Sequence, residues 1–198
     1  MKILVIRHGE SEADILHVHE GRADFALTAE GQRQAAAMAK WVAGLYTIDK
    51  IYASTLTRAQ QTAAALAATT KAPIFNEPEL MERNNGLLAG LPFAEAAAKY
   101  PRPVSLPPHL SVHEMESEID FRYRVEKMLS RLLHENNNNS TIAVVCHGGT
   151  IKMLYQAFLG LPIASDIVFA TGDTGIHLWE YEPGKRRIVF ANHTEHLS

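Results

Sequence analysis

The stretch ILVIRHGES (Ile3–Ser11) joins four apolar, mostly β-branched residues to a polar turn. A run of this kind is typical of a strand that is buried on both faces, as the central strands of parallel sheets are. Residues Ile142–Cys146 repeat the pattern late in the chain and also lead directly into a histidine. We therefore expect two central parallel strands whose carboxyl ends carry His8 and His147.

The rest of the chain alternates between helical and extended patterns. Large apolar side chains at helical spacing among good helix formers predict a helix over Gln32–Leu45, with Thr28 near its N-cap. The same reasoning predicts further helices over Thr57–Ala68, Asp120–His134 and Thr150–Leu159, and short strands around Ile51–Ala53 and Pro73–Phe75. Strands that alternate with helices predict an α/β fold, a three-layer α/β/α sandwich around a mixed, mostly parallel sheet.

Length and composition indicate one globular domain. The chain has 198 residues, of which 46% are hydrophobic and 21% charged, close to the averages for soluble globular proteins. We expect a single domain over residues 1–198. Four prolines between Pro101 and Pro108 exclude regular helix or strand there, so we expect a small lid excursion over about residues 82–119.

Composition also argues against several classes of function. A formal net charge of −3 does not suit a strongly basic surface for nucleic acid. The single cysteine cannot form an intramolecular disulfide or a cysteine-based zinc site, which fits a reducing, cytoplasmic setting. We expect no membrane partner, because no apolar run approaches the ~20 residues that span a bilayer and the N-terminal run is too short for a signal peptide.

The two strand-end histidines mark the expected ligand site. In open α/β sheets, ligands bind at the carboxyl ends of the strands. His147 is followed by Gly148-Gly149-Thr150, which opens a predicted helix. Backbone N–H groups and the helix dipole at such a turn favour an anion, and phosphate is the obvious candidate. Neither GxxxxGK[ST] nor GxGxxG occurs, so nucleotide-binding folds lack their usual support.

Several polar motifs follow one another along the chain. They are RHGES at Arg7–Ser11, GxxDxxLTxxG at Gly21–Gly31, SxLxRAxxTA at Ser54–Ala63, ERNNG at Glu82–Gly86 and ESxxDFxxRV at Glu116–Val125. In this order, and together with His147, they resemble the motifs of the histidine phosphatase superfamily, the phosphoglycerate-mutase-like proteins. The last of them resembles the helix entrance seen in the phosphatase members.

The resemblance implies a role for each of five residues. His8 would be the nucleophile that takes up the phosphoryl group, Arg7, Arg58 and His147 would bind that group, and Glu82 would be the proton donor. This chemistry is sound, because a neutral imidazole is a good nucleophile near pH 7 and a phosphoenzyme splits one hard hydrolysis into two steps. Nearby arginines disfavour protonation of the histidine and stabilise the transferring group, so we expect no cofactor.

Three further residues are expected to contact the substrate: Gly148 through its backbone, Gly21 and Asp14. The family usually has asparagine at the position of Asp14, where the amide donates to phosphate. An ionised carboxylate only accepts hydrogen bonds and repels a phosphate dianion. We expect activity to survive but to be modest or displaced to acid pH, and Asp14→Asn to raise kcat/KM near pH 7.

The lid separates two branches of this family. Mutases carry a longer, basic insertion after the glutamate motif, whereas this chain has only Arg83, Lys99 and Arg102 as cations between Glu82 and Ser117. We therefore expect a metal-independent phosphomonoesterase of the histidine acid phosphatase type, acting on small phosphorylated metabolites. A cofactor-dependent phosphoglycerate mutase and a non-catalytic phospho-ligand binder stay open as alternatives. The resemblance also allows a homodimer.

Two other features are expected to carry no chemistry. His17-x-His19 and His109-x-x-x-His113 have spacings that zinc could use, but neither forms an HExxH motif or has an evident third ligand. We expect no bound metal, and histidines in exposed loops. Cys146 and His147 are consecutive on a strand and point to opposite faces, so Cys146 is predicted to be a buried structural residue.

Overall fold

Six strands and six α-helices make up the computed structural model, which describes residues 1–198. The strands are β1 (Lys2–Arg7), β2 (Lys50–Ala53), β3 (Ile74–Asn76), β4 (Thr141–Cys146), β5 (Ile176–Glu182) and β6 (Lys185–His193). The helices are α1 (Glu12–Leu16), α2 (Ala29–Leu45), α3 (Thr57–Thr70), α4 (Phe93–Lys99), α5 (Glu118–Glu135) and α6 (Gly148–Leu159).

The strands form one mixed sheet in the order β3-β2-β4-β1-β5-β6. Strands β3, β2, β4 and β1 are parallel neighbours, whereas β5 and β6 are antiparallel additions beside β1. The predicted mixed, mostly parallel sheet is therefore confirmed. No strand was predicted after the last predicted helix, so the two antiparallel strands β5 and β6 were not predicted individually.

Both faces of the sheet are covered by helices. Along β1, Ile3 and Val5 pack into one core with α5 and α6. Leu4 and Ile6 point the other way, into a second core with α2 and α3. This period-two alternation with apolar residues on both sides explains why β1 is a continuous apolar run. The three-layer α/β/α sandwich is confirmed.

The long helices lie close to their predicted bounds. Helix α2 begins at Ala29 because the Thr28 side chain caps it, accepting a hydrogen bond from the Gly31 N–H at 2.9 Å. Helix α5 begins two residues before its predicted start at Asp120. Helices α1 and α4 were not predicted, because their 5 and 7 residues are too short for a clear apolar period.

The segment between Glu82 and α5 is largely irregular, as its prolines predict. A single 3-10 turn at Gly86–Leu88 and helix α4 are its only helices, and no helix or strand occurs from Tyr100 to Ser117. Leu88, Ala96 and Met115 give it a small core of its own. The predicted end of the excursion at residue 119 falls in the first turn of α5.

Two smaller features bear on the predicted classes. Cys146 is buried and packs in the core beside α5 and α6, and burial raises the pKa of its thiol. None of the helices combines the length and the apolar character needed to cross a membrane.

Candidate active site

The carboxyl ends of β1 and β4 lie side by side at one edge of the sheet, because the two strands are parallel neighbours. His8 and His147 follow these strands directly, and their ring centroids are 5.1 Å apart. Both residues are buried, with 1% of their surface exposed. The structure thus brings the two strand-end histidines together in the interior of one site.

His8 is held in one tautomer by its own neighbour. Its Nδ1 lies 2.7 Å from the carbonyl oxygen of Gly9, and since a carbonyl oxygen only accepts, Nδ1 carries the ring proton. Burial lowers the pKa of His8 well below the ordinary histidine value, and the charges of Arg58 and Arg7 lower it further. His8 is therefore neutral near pH 7, with the lone pair on Nε2.

Arg58 lies against Nε2 of His8. It belongs to the first turn of α3, is fully buried and donates from Nε to that nitrogen over a long 3.3 Å. Its two other nitrogens donate to the carbonyls of Ala23 and Gly21 at 3.0 and 2.9 Å. Asp24 ties the same loop to α3 by accepting hydrogen bonds from the residue before Arg58. The GxxD motif therefore positions Arg58 against His8.

Gly21 is required by this loop. Its φ is +52°, and a Cβ would lie 2.8 Å from the Asn85 side chain, so a larger residue would be strained and crowded. Gly21 also lines the outer part of the cleft above His8. The structure thus gives Gly21 a positioning contact through Arg58, and its contact with a substrate stays a prediction.

Arg7 enters the site from the end of β1. Nη1 donates to the Thr171 carbonyl at 3.0 Å, and Nη2 lies 3.3 Å from a carboxylate oxygen of Asp173 and 3.9 Å from one of Asp14. Its Nε is buried and has no hydrogen-bond partner. An unpaired buried donor is costly, and an anionic oxygen bound at this site would relieve that cost.

His147 is the N-cap residue of α6. Its Nε2 lies 2.7 Å from Oγ of Ser54, and that oxygen already accepts a hydrogen bond from the N–H of Leu56. Nε2 is the only acceptor within reach of the Ser54 hydroxyl proton, so we infer that this hydroxyl donates to Nε2 and that the ring proton of His147 is on Nδ1. Nδ1 is buried without a partner, and it is therefore a second orphaned donor beside His8.

Glu82 lies over the N-terminus of α6. One carboxylate oxygen accepts a hydrogen bond from the N–H of Gly149 at 2.8 Å, and the other accepts one from the N–H of Arg83 at 2.7 Å. A Cβ at Gly149 would lie 2.4 Å from the carboxylate, so the glycine makes this close approach possible. Gly148 occupies the first helical position beside it, where backbone N–H groups have no acceptor within the helix.

Arg124 holds the segment that carries Glu82. It donates to the carbonyls of Glu79 and Met81 at 2.7 Å and to that of Glu82 at 2.9 Å. It also forms a two-pronged ion pair with Glu116 at 2.6 and 2.9 Å, with both side chains largely buried. The ESxxDFxxRV motif thus supplies both partners of a clamp that positions Glu82.

The two carboxylate oxygens of Asp14 have different contacts. Its Oδ2 accepts a hydrogen bond from the Ser11 N–H at 2.8 Å, which completes a capping box at the start of α1. Its Oδ1 is the atom that faces Arg7 at 3.9 Å. Asp14 therefore stands at the edge of the site, with one oxygen that makes no hydrogen bond and only a long ion pair with Arg7.

Sequence reasoning missed Glu20. This residue lies in the loop before Gly21, and its carboxylate is 3.4 Å from Nε of Arg58 and 3.8 Å from Nε2 of His8. Burial raises its pKa, although the charge of Arg58 acts in the opposite direction. The available signal was its place directly before the GxxD motif, in the loop that has to reach Arg58.

An open cleft of about 520 Å³ lies above these residues. Its wall includes charged and polar groups from four segments of the chain: Arg7, His8, Glu20, Glu82, Gly148 and Lys152. The adjoining outer part is lined by Asp14, Gly21 and two of the lid cations, Arg83 and Arg102. The arrangement combines a neutral imidazole, several cationic or N–H donors and a carboxyl group, that of Glu82, at the start of α6, which suits attack on an anionic phosphorus centre.

Of the histidine pairs in the loops, His19 lines the outer part of the cleft, whereas His17, His109 and His113 do not line it. His17 and His109 are exposed, His19 packs edge-on against Phe93 with ring centroids 4.7 Å apart, and Nε2 of His113 lies 3.1 Å from a backbone carbonyl oxygen. No group of three or more His, Cys, Asp or Glu side chains is arranged to hold a metal ion.

Known proteins resemble this chain over most of its length. It is 27% identical over 201 residues to phosphoserine phosphatase 1 of Hydrogenobacter thermophilus, covering 100% of this chain and 94% of that protein. It is 30% identical over 171 residues to the adenosylcobalamin/alpha-ribazole phosphatase of Escherichia coli, covering 82% and 81%. The solved phosphoserine phosphatase of Entamoeba histolytica, in complex with 3-phosphoglyceric acid, matches with a TM-score of 0.80 and 27% identity over 100% and 99% of the two chains.

A family model agrees with these likenesses. The description of the histidine phosphatase superfamily, branch 1, matches residues 3–194. The matched range contains all the motifs that carry the site, from Arg7 to His147. The chain therefore belongs to the histidine phosphatase superfamily.

Proposed function

We propose that this protein is a metal-independent phosphomonoesterase that hydrolyses small phosphorylated metabolites through a phosphohistidine on His8. One observation carries the proposal: the unprotonated Nε2 of a neutral, buried His8 lies beside Arg58 and below an open cleft. The hydrogen-bond donors around His8 need an anionic partner. The group that His8 attacks should therefore carry negative charge, as a phosphoryl group does. Family membership and the phosphatase names of the relatives support the same reading.

In the first step, Nε2 of His8 forms a bond to phosphorus while the bond from phosphorus to the leaving oxygen breaks. Glu82 gives its proton to that oxygen, so the product leaves as an alcohol. Arg7, Arg58 and His147 stabilise the negative charge on the peripheral phosphoryl oxygens.

In the second step, water attacks the phosphohistidine. Glu82 takes a proton from the water, the bond between phosphorus and Nε2 breaks, and orthophosphate leaves with His8 restored to its neutral form. The proton taken up by Glu82 replaces the one that it gave to the leaving group. The cycle therefore balances with water as the only other substrate and without a metal ion.

The leaving group would occupy the outer cleft. Three cations line it, Arg83 and Arg102 of the lid and Lys152 of α6, together with four carboxylates: Asp14, Glu20, Glu82 and Glu118. Polar metabolites that carry both donors and acceptors of hydrogen bonds would therefore be the best substrates. A first panel consists of phosphoserine, 3-phosphoglycerate and alpha-ribazole 5′-phosphate, after the activities for which the relatives are named and the ligand of one solved relative.

The proposed activity is tested with a generic aryl phosphate from pH 4.5 to 8 in the presence of a chelator. We expect turnover that the chelator does not reduce. Absence of turnover, together with transfer of phosphate between the hydroxyl groups of phosphoglycerates, would establish the mutase instead. Tight binding of phosphorylated compounds without either reaction would establish the binding protein.

We expect Gly149→Ala to lower kcat without lowering the Tm. The added methyl group has to displace the Glu82 carboxylate, and a shift of about 1 Å in a catalytic group costs up to ~100-fold in rate. Gly149 is the second residue of α6, where alanine is tolerated as well as glycine but gains less than the roughly 0.5–1 kcal/mol of a helix interior, so we expect the Tm to change little. The measurement is kcat alongside thermal unfolding.

The matched control for this variant is Gly44→Ala in α2, where the new methyl group meets no atom within 4 Å. It should raise stability without changing kcat. Equal kcat for Gly149→Ala and the wild type would show that the position of Glu82 over α6 does not matter to the reaction.

We expect Asp14→Asn to raise kcat/KM about 3- to 10-fold near pH 7 and to change it little near pH 5. The amide oxygen can keep the hydrogen bond from Ser11, while the amide nitrogen replaces the oxygen that faces Arg7 and can donate to a phosphate. Steady-state kinetics at both pH values are the measurement. A pH profile identical to that of the wild type would mean that this side chain does not face the phosphate.

A further inference from the structure

The Glu20 carboxylate lies beside the nucleophilic nitrogen of His8, close enough to contact a phosphoryl group that this nitrogen attacks. One of its oxygens is 3.8 Å from Nε2 of His8, and the other is 3.4 Å from Nε of Arg58. The Ser11 hydroxyl donates to the second oxygen and fixes the carboxylate in this place. The side chain is 18% exposed and lines the cleft, so it meets any ligand bound to His8.

The charges around Glu20 are mixed. Charged or titratable side chains from every neighbouring segment face this part of the cleft: Arg7 at the end of β1, His8, Asp14 of α1, Arg58 of α3, Glu82, Lys152 of α6 and Asp173. Arg7 is already paired with Asp173, and Arg58 with Glu20 itself. The positive charge that would hold a phosphate dianion is therefore partly neutralised before any ligand arrives.

We propose that Glu20 makes this site bind the phosphoryl group together with one proton, held between its carboxylate and a phosphoryl oxygen. The inference rests on the proposed phosphatase function and names the protonation state of the substrate for the same site. Two forms are equivalent in protons: a phosphate monoanion whose P–OH donates to the carboxylate, and a dianion that accepts from a protonated Glu20.

The proton is needed because the two groups that meet would otherwise both be hydrogen-bond acceptors. A phosphate dianion has only acceptors on its peripheral oxygens, and an ionised Glu20 also has only acceptors, so their contact would be repulsive. One added proton turns that contact into a hydrogen bond between two oxygens of which one is charged, which is among the stronger kinds. Phosphomonoesters take up this proton near pH 6, and burial shifts Glu20 in the same direction.

The inference predicts proton uptake when phosphate binds near neutral pH. The probe is orthophosphate, and the measurement is titration calorimetry at pH 7.5 in several buffers of different ionisation enthalpy, whose slope gives the protons taken up. For the wild type we expect about one proton more per bound phosphate than for Glu20→Gln. We also expect Glu20→Gln to bind orthophosphate at least about tenfold more tightly at pH 7.5, with little difference near pH 5.

Glu12→Gln is the matched control, because Glu12 lies nearby on α1 and is exposed, and the substitution removes the same charge. It should behave as the wild type does. Equal proton uptake by the wild type and Glu20→Gln, with phosphate bound by both, would overturn the inference and leave the proposed function standing. Failure of every variant to bind orthophosphate at any pH would overturn both.

Discussion

Replacing His8 with alanine is expected to abolish turnover of phosphomonoesters, with kcat lowered by at least about 10³-fold at every pH. The imidazole supplies the only nitrogen at the bottom of the cleft that is neutral, unprotonated and adjacent to Arg58. Arg7 and Arg58 would still attract the phosphate, so binding of orthophosphate should survive. The measurement combines steady-state hydrolysis with calorimetric binding.

The control for this variant is His134→Ala, which removes an exposed histidine from the last turn of α5. Since His8 is buried, His8→Gln serves as a second variant that fills more of the space and still lacks the nucleophile. Both His8 variants should show the far-UV circular dichroism of the wild type. Turnover above one tenth of the wild-type value in either folded variant would contradict the assigned role.

Replacing Arg124 with methionine is expected to lower the free energy of unfolding by about 3 kcal/mol, the lower end of the cost of removing one partner of a buried ion pair. Of its ion pairs, Glu116 would keep only the longer one with Arg22 at 3.5 Å, and each of three backbone carbonyls near Glu82 would lose its shortest hydrogen bond. We also expect kcat to fall more than orthophosphate affinity does, since Arg124 acts through the position of Glu82. Denaturant unfolding, kcat and phosphate binding are the measurements.

Arg131→Met is the matched control on the same helix. Arg131 pairs with Glu77 and Glu135 at a more exposed position, and such pairs contribute roughly 0–1 kcal/mol. Should both variants lose the same stability, the Arg124 cluster would be an ordinary surface pair. A kcat unchanged in a folded Arg124→Met protein would remove the clamp from the account of activity.

The central strands of the sheet could be predicted because the apolar pattern that indicates them lies within each strand. Strands β1 and β4 are apolar on both faces, and a short run of this composition in a chain of this size is typical of a buried central strand. Strand β6 gives no such signal, since its first residues are Lys185, Arg186 and Arg187 and it lies exposed at the edge of the sheet. Its structure depends on pairing with β5, which is a tertiary contact that no local pattern shows.

The site residues that could be predicted are those that belong to sequence motifs. His8, Arg58, His147 and Glu82 were predicted from motifs, and the structure brings them to one cleft. Glu20 escaped prediction because its place beside Nε2 of His8 follows from how the loop before α2 folds back onto α3. The place of Glu20 directly before the GxxD motif indicates the loop, but the sequence does not show which side chain of that loop reaches His8 and Arg58.

The most direct test of the account is to trap the covalent intermediate. The enzyme is mixed with an aryl phosphate near pH 5, quenched in alkali within the first turnover and digested for mass spectrometry. We predict one phosphoryl group per chain on the peptide that contains His8, and none in His8→Ala. Turnover without any phosphorylated peptide, or a phosphoryl group on another residue, would contradict the phosphohistidine mechanism.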